Sequence, residues 1–490
     1  MTDKLNIALL LPLYDGRNHS QFLGIGYISH VLKRANYNTI IVDEDAVYFL
    51  LKQKDVKAPF SSTKKYIVSK LHEYSPDIIG ITINTANYER SLELLIKIRD
   101  CFPETTIIVG GPHISTSWQV FKKHHQPLFD IAVIGEGENT ILEICDRIAS
   151  KKPLANIKGA VSSQDHDSKF EPRSLIDDLD SLPYPDRDGF RICFPKKDHS
   201  IIDEHYRSVF YAHLPGFRGK KFTRIVGSRG CDFSCTFCSP SSYWKNPITG
   251  GAYRRVRNPI KIVDEMEYLF KEGYEAFFFD DPTFPFKSQP FFYRTILDEL
   301  KKRSLKINWA APTRADELSK EILCQLAESG FTYTYFGLET CQQKDLIKMN
   351  KYQDIDFCLQ LLDLCYEFGI HCDVSCQIGL PKDNYDSIIK NIQWLEENKL
   401  QKRSFFSIAA IWPETPLAKQ FGITSEDFEP TNNKKQLESN GLYYFKPGNP
   451  QIERFFSNCS GCYHFIDEET AINVKYYLID SGFIKRFESK

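Results

Sequence analysis

Three cysteines lie close together in the run VGSRGCDFSCTFCS (226–239), at positions 231, 235 and 238. Thiolates suit iron–sulfur clusters and zinc, and these spacings place three sulfurs around one small site on a single loop. A structural zinc site normally needs four protein ligands, whereas the nearest further cysteine, Cys193, lies far upstream. Three thiolates on a four-iron cubane leave one iron open to another ligand. The spacing therefore predicts a 4Fe-4S cluster on Cys231, Cys235 and Cys238; a zinc knuckle or three unrelated thiols are the alternatives.

The segments around the cysteines alternate between strands and helices. Six apolar runs predict strands, at 222–227, 275–280, 306–311, 333–339, 371–379 and 404–411. Helical segments such as 260–273 and 319–330 separate them. Six such units predict an incomplete parallel (β/α)6 barrel rather than a closed eightfold one. The cysteine run begins just after the first strand, at the end where the active sites of such barrels gather.

The cysteine run, with Phe237 before its last cysteine, resembles the signature loop of the radical S-adenosylmethionine (SAM) superfamily. In that family the amino and carboxylate groups of SAM chelate the open iron. The reduced cluster then cleaves SAM to a 5′-deoxyadenosyl radical, which abstracts hydrogen from the substrate. The resemblance implies that Phe237 packs near the adenine of SAM.

Later strand ends carry further motifs of this family. FFFDDPTF (277–284) resembles the motif that orients the methionyl amine of SAM, with Asp280 and Asp281 as acceptors. It departs from the usual Gly-Gly-Glu form, and acidic residues after a strand also serve as helix N-caps. YFGLET implies that Glu339 faces SAM, and QIGLPKD places Gly379 in the turn after the fifth strand. In that turn Lys382-Asp383 replaces the usual Gly-Glu, and KMNK (348–351) also fits the subclass.

The first 150 residues form a separate series of strands and helices. Strands are predicted at 6–11, 37–42, 77–83, 105–111 and 129–138. This alternation predicts a Rossmann-like α/β domain with a parallel sheet covered on both faces. Glycine turns follow the last two strands and supply the candidate ligand-binding residues Gly110, Gly111, Gly135, Glu136 and Gly137. Ligands of open parallel sheets bind outside these strand ends, although ordinary tight turns explain the glycines equally well.

The two glycine turns, followed by the segment DLDSLPYPDRD and the cysteine run, resemble the cobalamin-binding domain of cobalamin-dependent radical SAM proteins. The histidine motif Asp-x-His-x-x-Gly of other cobalamin domains is missing, since Asp15 and His19 are wrongly spaced. Many members of the radical subclass also lack it and have no protein histidine on the lower cobalt face. A degenerate domain that binds no corrin is the alternative.

The predicted organisation is a cobalamin-type α/β domain (1–150), a linker (151–221), a radical SAM barrel (222–420) and a C-terminal cap (421–490). CSGCYH places Cys459, Cys462 and His464 in the cap. Because local ligands are too few, structural thiols are predicted there, with an auxiliary cluster as the alternative.

The balance of 62 basic and 64 acidic residues, without a basic block, gives no indication of a nucleic-acid partner. No apolar run is long enough to span a membrane, and a cytoplasmic enzyme is predicted. Most of the 14 cysteines stand singly in apolar segments, as expected in a reducing compartment. The expected partners are a small-molecule or peptide-like substrate and an external electron donor such as flavodoxin or ferredoxin.

The resemblance implies cobalamin-dependent methyl transfer to an unactivated centre, with one SAM as methyl donor and a second as radical source. A cobalamin-containing radical cyclase or rearrangement enzyme is the nearest alternative. A methylthiotransferase acting on transfer RNA would need more N-terminal cysteines and a basic C-terminal module. A non-catalytic cobalamin or redox sensor would not need Glu339 or the Gly-Leu-Pro turn.

Overall fold

The computed structural model describes residues 4–13, 21–164, 170–207, 210–240, 244, 251–430, 441–445, 456 and 462–483. The chain divides into two compact units, Met1–Ala212 and His213–Lys490. Within the described ranges, no helix is both long and apolar enough to cross a membrane.

The first unit is built on one six-stranded sheet. Its strands are β1 (Asn6–Leu11), β2 (Asn38–Asp43), β3 (Ile78–Thr82), β4 (Thr106–Gly110), β5 (Ile131–Val133) and β6 (Ala160–Ser162). The strand order is β2-β1-β3-β4-β5-β6; the first five strands are parallel and β6 is antiparallel to β5. This confirms the predicted α/β fold, and the order reverses between β1 and β3, where doubly wound sheets bind ligands.

Helices cover both faces of this sheet because its strands are apolar on both sides. Along β1, Ala8 and Leu10 belong to one buried cluster, whereas Ile7 and Leu9 belong to another. Successive strand residues point to opposite faces, so a continuous apolar run needs a cover on each. The helices of the unit are α1 (Leu23–Arg34), α2 (Glu44–Gln53), α3 (Pro59–Tyr74), α4 (Tyr88–Cys101), α5 (Pro112–His125), α6 (Glu138–Ala149), α7 (Gly189–Ile192) and α8 (His199–Arg207).

The stretch predicted to be a linker contributes to this first unit. Residues 160–162 form β6, at the edge of the sheet. Phe194 and Ile202 are buried in the same cluster as Ala8 and Leu10. The structure therefore places the division of the chain after Ala212.

The second unit contains six parallel strands in sequential order. They are β7 (Phe222–Ile225), β10 (Ala276–Phe279), β11 (Asn308–Thr313), β12 (Phe331–Glu339), β13 (His371–Ile378) and β14 (Ser404–Ile408). Between β7 and β10, β8 (Ser228–Cys231) and β9 (Tyr253–Val256) form an antiparallel hairpin. The predicted six-unit partial barrel is confirmed. Its helices are α9 (Pro259–Lys271), α10 (Pro290–Lys302), α11 (Lys320–Ala327), α12 (Gln343–Lys348), α13 (Ile355–Glu367), α14 (Tyr385–Glu397) and α15 (Pro416–Gln420).

The two faces of β13 differ, since its outer face is apolar and its inner face is polar. Along β13 every second residue is buried in the layer beneath the helices; these residues are Cys372, Val374, Cys376 and Ile378. The alternate residues are partly exposed: His371, Asp373, Ser375 and Gln377. Apolar side chains therefore do not fill the interior beside β13, as they would in a closed eight-stranded barrel.

The described part of the C-terminal segment packs on the barrel. β15 (Ala410–Ile411), β16 (Tyr443–Phe445) and β17 (Cys462–His464) form a small antiparallel sheet. The last helix, α16 (Glu468–Asp480), buries Val474 and Leu478 in the hydrophobic layer of the barrel.

Candidate functional site

A hairpin after the first barrel strand positions the first cysteine. Cys231 is the last residue of β8 and pairs with Tyr253 of β9. Gly230, just before it, has a φ of +88°, and a Cβ there would collide with the Tyr253 carbonyl. Only glycine fits this close approach of two backbones, so Gly230 fixes where the cysteine loop begins.

Backbone hydrogen bonds hold the rest of the loop. The Cys238 N–H donates to the Cys235 carbonyl at 3.2 Å, closing a tight turn. The Thr236 N–H donates to the Met349 carbonyl at 2.9 Å, and the Leu417 N–H donates to the Thr236 carbonyl at 3.0 Å. Segments that follow β12 and β14 therefore anchor the loop at the carboxyl edge of the barrel.

The three sulfurs share one electrostatic environment. Burial raises the pKa of the Cys235 thiol, and the charges of Lys351 and Arg314 act in the opposite direction. Burial, followed by the neighbouring thiols of Cys235 and Cys231, raises the pKa of Cys238 to about 12. Within the described ranges, no three His, Cys, Asp or Glu side chains converge as ligands of a single metal ion. Three thiols on one loop are the donors that a four-iron cluster with one open iron would use.

The two aspartates after β10 have different surroundings. Asp281 is buried and accepts hydrogen bonds from the Gly227 N–H and the Ser228 hydroxyl, both at 2.7 Å. Its carboxylate thus ties the second strand end to the start of β8. Asp280 is partly exposed and forms an ion pair with Arg224 on β7. Of the two predicted SAM ligands, Asp280 is the more accessible.

Glu339 ends β12 in a strained conformation. Its φ is +66°, and the pairing of β12 with β13 is irregular between Gly337 and Glu339. The carboxylate accepts a hydrogen bond from Lys351 Nζ at 2.5 Å, and each side chain is only 7% exposed. A side chain at Gly337 would overlap this pair. Left-handed backbone in a non-glycine residue is a feature that clusters at functional sites.

The turn after β13 places Gly379 in left-handed backbone with a φ of +72°, and its Cα faces Ile466. Lys382, where the family motif usually has glycine, also has a positive φ, of +75°. Asp383 stabilises the turn by accepting from the Leu380 N–H at 2.8 Å. Lys382 and Asp383 therefore form this turn at the positions where the family motif usually has Gly-Glu.

Phe237 lies between two apolar clusters of the barrel edge. It is partly buried and packs against the cluster that contains Met349 and Leu380. The cysteine loop therefore borders the Gly-Leu-Pro turn, and the predicted contact of Phe237 with adenine stays a prediction.

The candidate ligand-binding glycines of the first unit differ in what surrounds them. At Gly111, with a φ of +100°, a Cβ would lie 2.7 Å from the Ile83 carbonyl oxygen, so the fold itself requires glycine. At Gly135, with a φ of +85°, a Cβ would meet nothing within 4 Å. Gly110 ends β4 and is partly exposed. Open space at this edge therefore lies beside Gly135.

The remaining residues of the second glycine turn have partners within the protein. Glu136 accepts a hydrogen bond from the Ile176 N–H at 2.7 Å. Gly137 directly precedes α6, and a Cβ there would lie 3.1 Å from Ile28. Glu136 thus holds the downstream segment, and its predicted ligand contact stays a prediction.

The histidine of the first glycine turn is committed to the fold. His113 is only 1% exposed, its Nδ1 lies 3.1 Å from Thr85 Oγ1, and its ring stacks on Tyr88 at 4.1 Å. This side chain is therefore not presented to a ligand at the sheet edge. Asp15 and His19, the nearest pieces of a cobalt-ligating motif, lie outside the described residues.

Of the two C-terminal cysteines in the CSGCYH run, the structure describes Cys462. Cys462 is fully buried in β17, and the neighbouring His464 lies with its Nδ1 2.9 Å from the Ala409 carbonyl oxygen. Cys459 lies outside the described residues. The role predicted for this pair stays a prediction.

Two basic residues beside the triad were not assigned from the sequence. Lys351 pairs with Glu339, and Arg314 lies 3.9 Å from the Cys235 sulfur. Arg314 directly follows β11, and Lys351 follows the short helix α12. In the sequence, the signal for either residue was a basic side chain shortly after a barrel strand. The sequence alone does not indicate which of many such residues approaches the cysteines.

The second unit is an open parallel barrel whose carboxyl edge carries the three-cysteine loop, and the first unit is built on an open doubly wound sheet. Comparisons with known proteins agree. The B12 binding domain model matches residues 18–145, and the Radical SAM superfamily model matches residues 225–395. The chain therefore carries a B12-binding domain ahead of a radical SAM domain.

Relatives of this chain include enzymes with different reactions. An uncharacterized methyltransferase of Pyrococcus horikoshii is 25% identical over 396 residues, which span 81% of this chain and 77% of that protein. The anaerobic magnesium-protoporphyrin IX monomethyl ester cyclase of Rubrivivax gelatinosus is 25% identical over 426 residues, or 83% and 68% of the two chains.

The fold also matches a solved structure over nearly the whole chain. The radical SAM methyltransferase TsrM of Kitasatospora setae, with tryptophan substrate and a SAM analogue bound, superposes with a TM-score of 0.68. The identity is 16%, and the match covers 99% of this chain and 89% of TsrM. The shared architecture extends over both units.

Proposed function

We propose that this chain is a cobalamin-dependent radical SAM methyltransferase that acts on a small-molecule or peptide-like substrate. One observation carries the proposal: a loop with three cysteines lies at the carboxyl edge of an open barrel, where the inward residues of β13 are polar. The B12-binding domain in the same chain indicates a methyl carrier in addition to the radical source.

Different residues of the barrel edge would bind the cluster and SAM. Cys231, Cys235 and Cys238 would hold the cluster, and Asp280 and Glu339 would accept from the methionyl amine. When bound, the cluster and SAM supply the 5′-deoxyadenosyl radical, and cobalamin carries the methyl group. The chain's own contribution is to orient these groups and exclude water, so that the radical meets only the substrate.

The corrin would be held by backbone and tail contacts rather than by a histidine. The open space beside Gly135 suits a wide planar ligand, and His113 is buried against Thr85 and Tyr88. We expect bound cobalt(II) cobalamin to show no nitrogen hyperfine coupling from the protein. Coupling to an imidazole would overturn this assignment without affecting the cluster.

The experiment uses the anaerobically reconstituted full chain with cobalamin, an external one-electron reductant and SAM labelled in its methyl group. We expect 5′-deoxyadenosine and S-adenosylhomocysteine, with the label recovered in the corrin fraction. The variant with all three cysteines changed to alanine should lose about four irons per chain and all 5′-deoxyadenosine, because a cubane needs those thiolates. A triple variant that retains its irons would place the cluster elsewhere.

A radical cyclase that contains cobalamin is the second candidate, because a cyclase is as similar to this chain as a methyltransferase. The two differ in the fate of the label. A cyclase would form 5′-deoxyadenosine from SAM without transferring the labelled methyl group to any product. A wild-type protein that takes up no cobalamin would contradict both candidates.

A further inference from the structure

One arginine approaches a cluster-ligating sulfur from a different strand. Arg314 is the first residue after β11, at the carboxyl edge of the barrel, and only 6% of its surface is exposed. Its Nη1 lies 3.9 Å from the Cys235 sulfur, within hydrogen-bonding range for sulfur. A guanidinium is always charged, so a permanent positive charge lies next to this thiolate position.

The guanidinium is held in place on two sides. Its Nε and Nη2 donate to the two carboxylate oxygens of Asp316, at 2.9 and 2.8 Å. Its carbon lies 3.9 Å from the centre of the Phe233 ring, within the cysteine loop. A bidentate pair and a stacked ring fix a planar group much better than either alone. Arg314 therefore has little freedom to turn away from Cys235.

The other charges near this sulfur balance each other. Lys351 is the second cation near Cys235, and it is paired with Glu339 in a buried ion pair. Asp316 offsets part of the Arg314 charge but is itself 40% exposed and hence better solvated. Arg314 thus combines a permanent charge with a hydrogen bond to the Cys235 sulfur.

We propose that Arg314 is a positioning residue that raises the reduction potential of the cluster by donating to the Cys235 sulfur. The inference depends on the proposed cluster on this triad. Reduction adds one electron from the external donor, with no bond made or broken, and increases the negative charge on the cluster. A fixed donor at a sulfur stabilises that added charge, and hydrogen bonds to sulfur are known determinants of cluster potential. Arg314 thereby sets how readily the cluster accepts the electron that cleaves SAM.

The test is an anaerobic redox titration of the reconstituted full chain, followed by the resonance signal of the reduced cluster. Arg314→Met removes the charge and the donor while keeping a similar apolar stem. We expect the ratio of reduced to oxidised cluster at a fixed potential to fall about tenfold, which is 59 mV for one electron. Asp316→Asn removes the opposing charge and should move the ratio in the other direction.

Two further variants separate charge from geometry. Arg314→Lys keeps the charge but loses the planar fork, so its ratio should fall between wild type and Arg314→Met. Arg303→Met is the control, since Arg303 contacts Asp264, Glu267 and Glu299 on the outer helices. It should titrate as wild type.

The outcomes are distinct. An Arg314→Met protein with a full cluster and a ratio within twofold of wild type would overturn the proposal. If Arg314→Met loses iron, the test rests on Asp316→Asn and Arg314→Lys. If both of these variants keep their full iron content and show the wild-type ratio of reduced to oxidised cluster, the proposal is overturned. A wild type without a cluster would refute the proposed function itself, whereas a wild-type cluster with unshifted variants refutes only the role of Arg314.

Discussion

Replacing Lys351 with methionine removes the cation of a buried ion pair while keeping an unbranched side chain. The Glu339 carboxylate would then remain 7% exposed, without the ammonium that lies 2.5 Å away. An uncompensated buried charge of this kind costs about 3–5 kcal/mol. For a unit of this size that corresponds to a fall in melting temperature of roughly 6–20 °C.

The matched control is Lys348→Met, in the adjoining helix. Lys348 pairs with Asp345 at 2.8 Å, but its side chain is 67% exposed. A solvated pair of this kind contributes less than about 1 kcal/mol, so the melting temperature should change by only a few degrees. The two variants thus lose the same charge from neighbouring positions with different burial.

The double variant Lys351→Met with Glu339→Gln completes the cycle. Because it removes both charges, it should recover most of the stability that Lys351→Met loses. Melting of the reconstituted proteins, the single variant Glu339→Gln included, with urea denaturation as a second measurement, gives the coupling free energy. A loss below about 1 kcal/mol for Lys351→Met, or a double variant no more stable than the single one, would refute the reasoning.

Three further predictions concern the strand ends. Gly111→Ala should lower the free energy of unfolding by at least about 2 kcal/mol, because its Cβ would lie 2.7 Å from the Ile83 carbonyl oxygen. Gly135→Ala, which has open space around it, should lower it by about 1 kcal/mol. Equal melting temperatures of the two variants would contradict this prediction. Burial raises the pKa of Asp281 from 3.8 to about 6, so this carboxyl favours the folded state at low pH and that contribution is lost as the pH rises through 6. Relative to Asp281→Asn, the wild type should therefore lose roughly 2–3 kcal/mol between pH 4 and 7, and a flat difference in urea denaturation would contradict the raised pKa of Asp281. Lys382→Gly should raise stability by up to about 1 kcal/mol, since Lys382 has a φ of +75°, and a lower melting temperature would disprove strain there.

The elements and the cysteine triad could be predicted because both are local patterns. Each strand shows as a short apolar run or as alternating apolar and polar residues. Three thiols within eight positions restrict the candidate sites to an iron–sulfur cluster or zinc before any fold is known. The order of the barrel strands followed from their sequence order, since each βα unit places its strand beside the previous one.

The contacts across the sheet edges could not be predicted in this way. Arg314 and Cys235 are separated by 79 positions, and only the packing of two strand ends brings them together. Gly111 and Gly135 show the same glycine-turn pattern in the sequence, but the Ile83 backbone, just after β3, occupies the space where a Cβ of Gly111 would lie, whereas the space at Gly135 is open. Asp281 was predicted as a SAM ligand, and the structure adds that its carboxylate holds the hairpin that begins at Ser228.

The barrel of this chain is an arc rather than a ring, since among the described strands β7 and β14 each pair with the other barrel strands on one side only. In a closed barrel the strand number and the stagger between strands together fix the diameter. An arc is free of that closure condition, so small changes in strand tilt can alter its curvature without breaking hydrogen bonds between strands. The cysteine loop limits how far this curvature can change, because its hydrogen bonds to Met349 and Leu417 join the hairpin after the first strand to segments that follow β12 and β14.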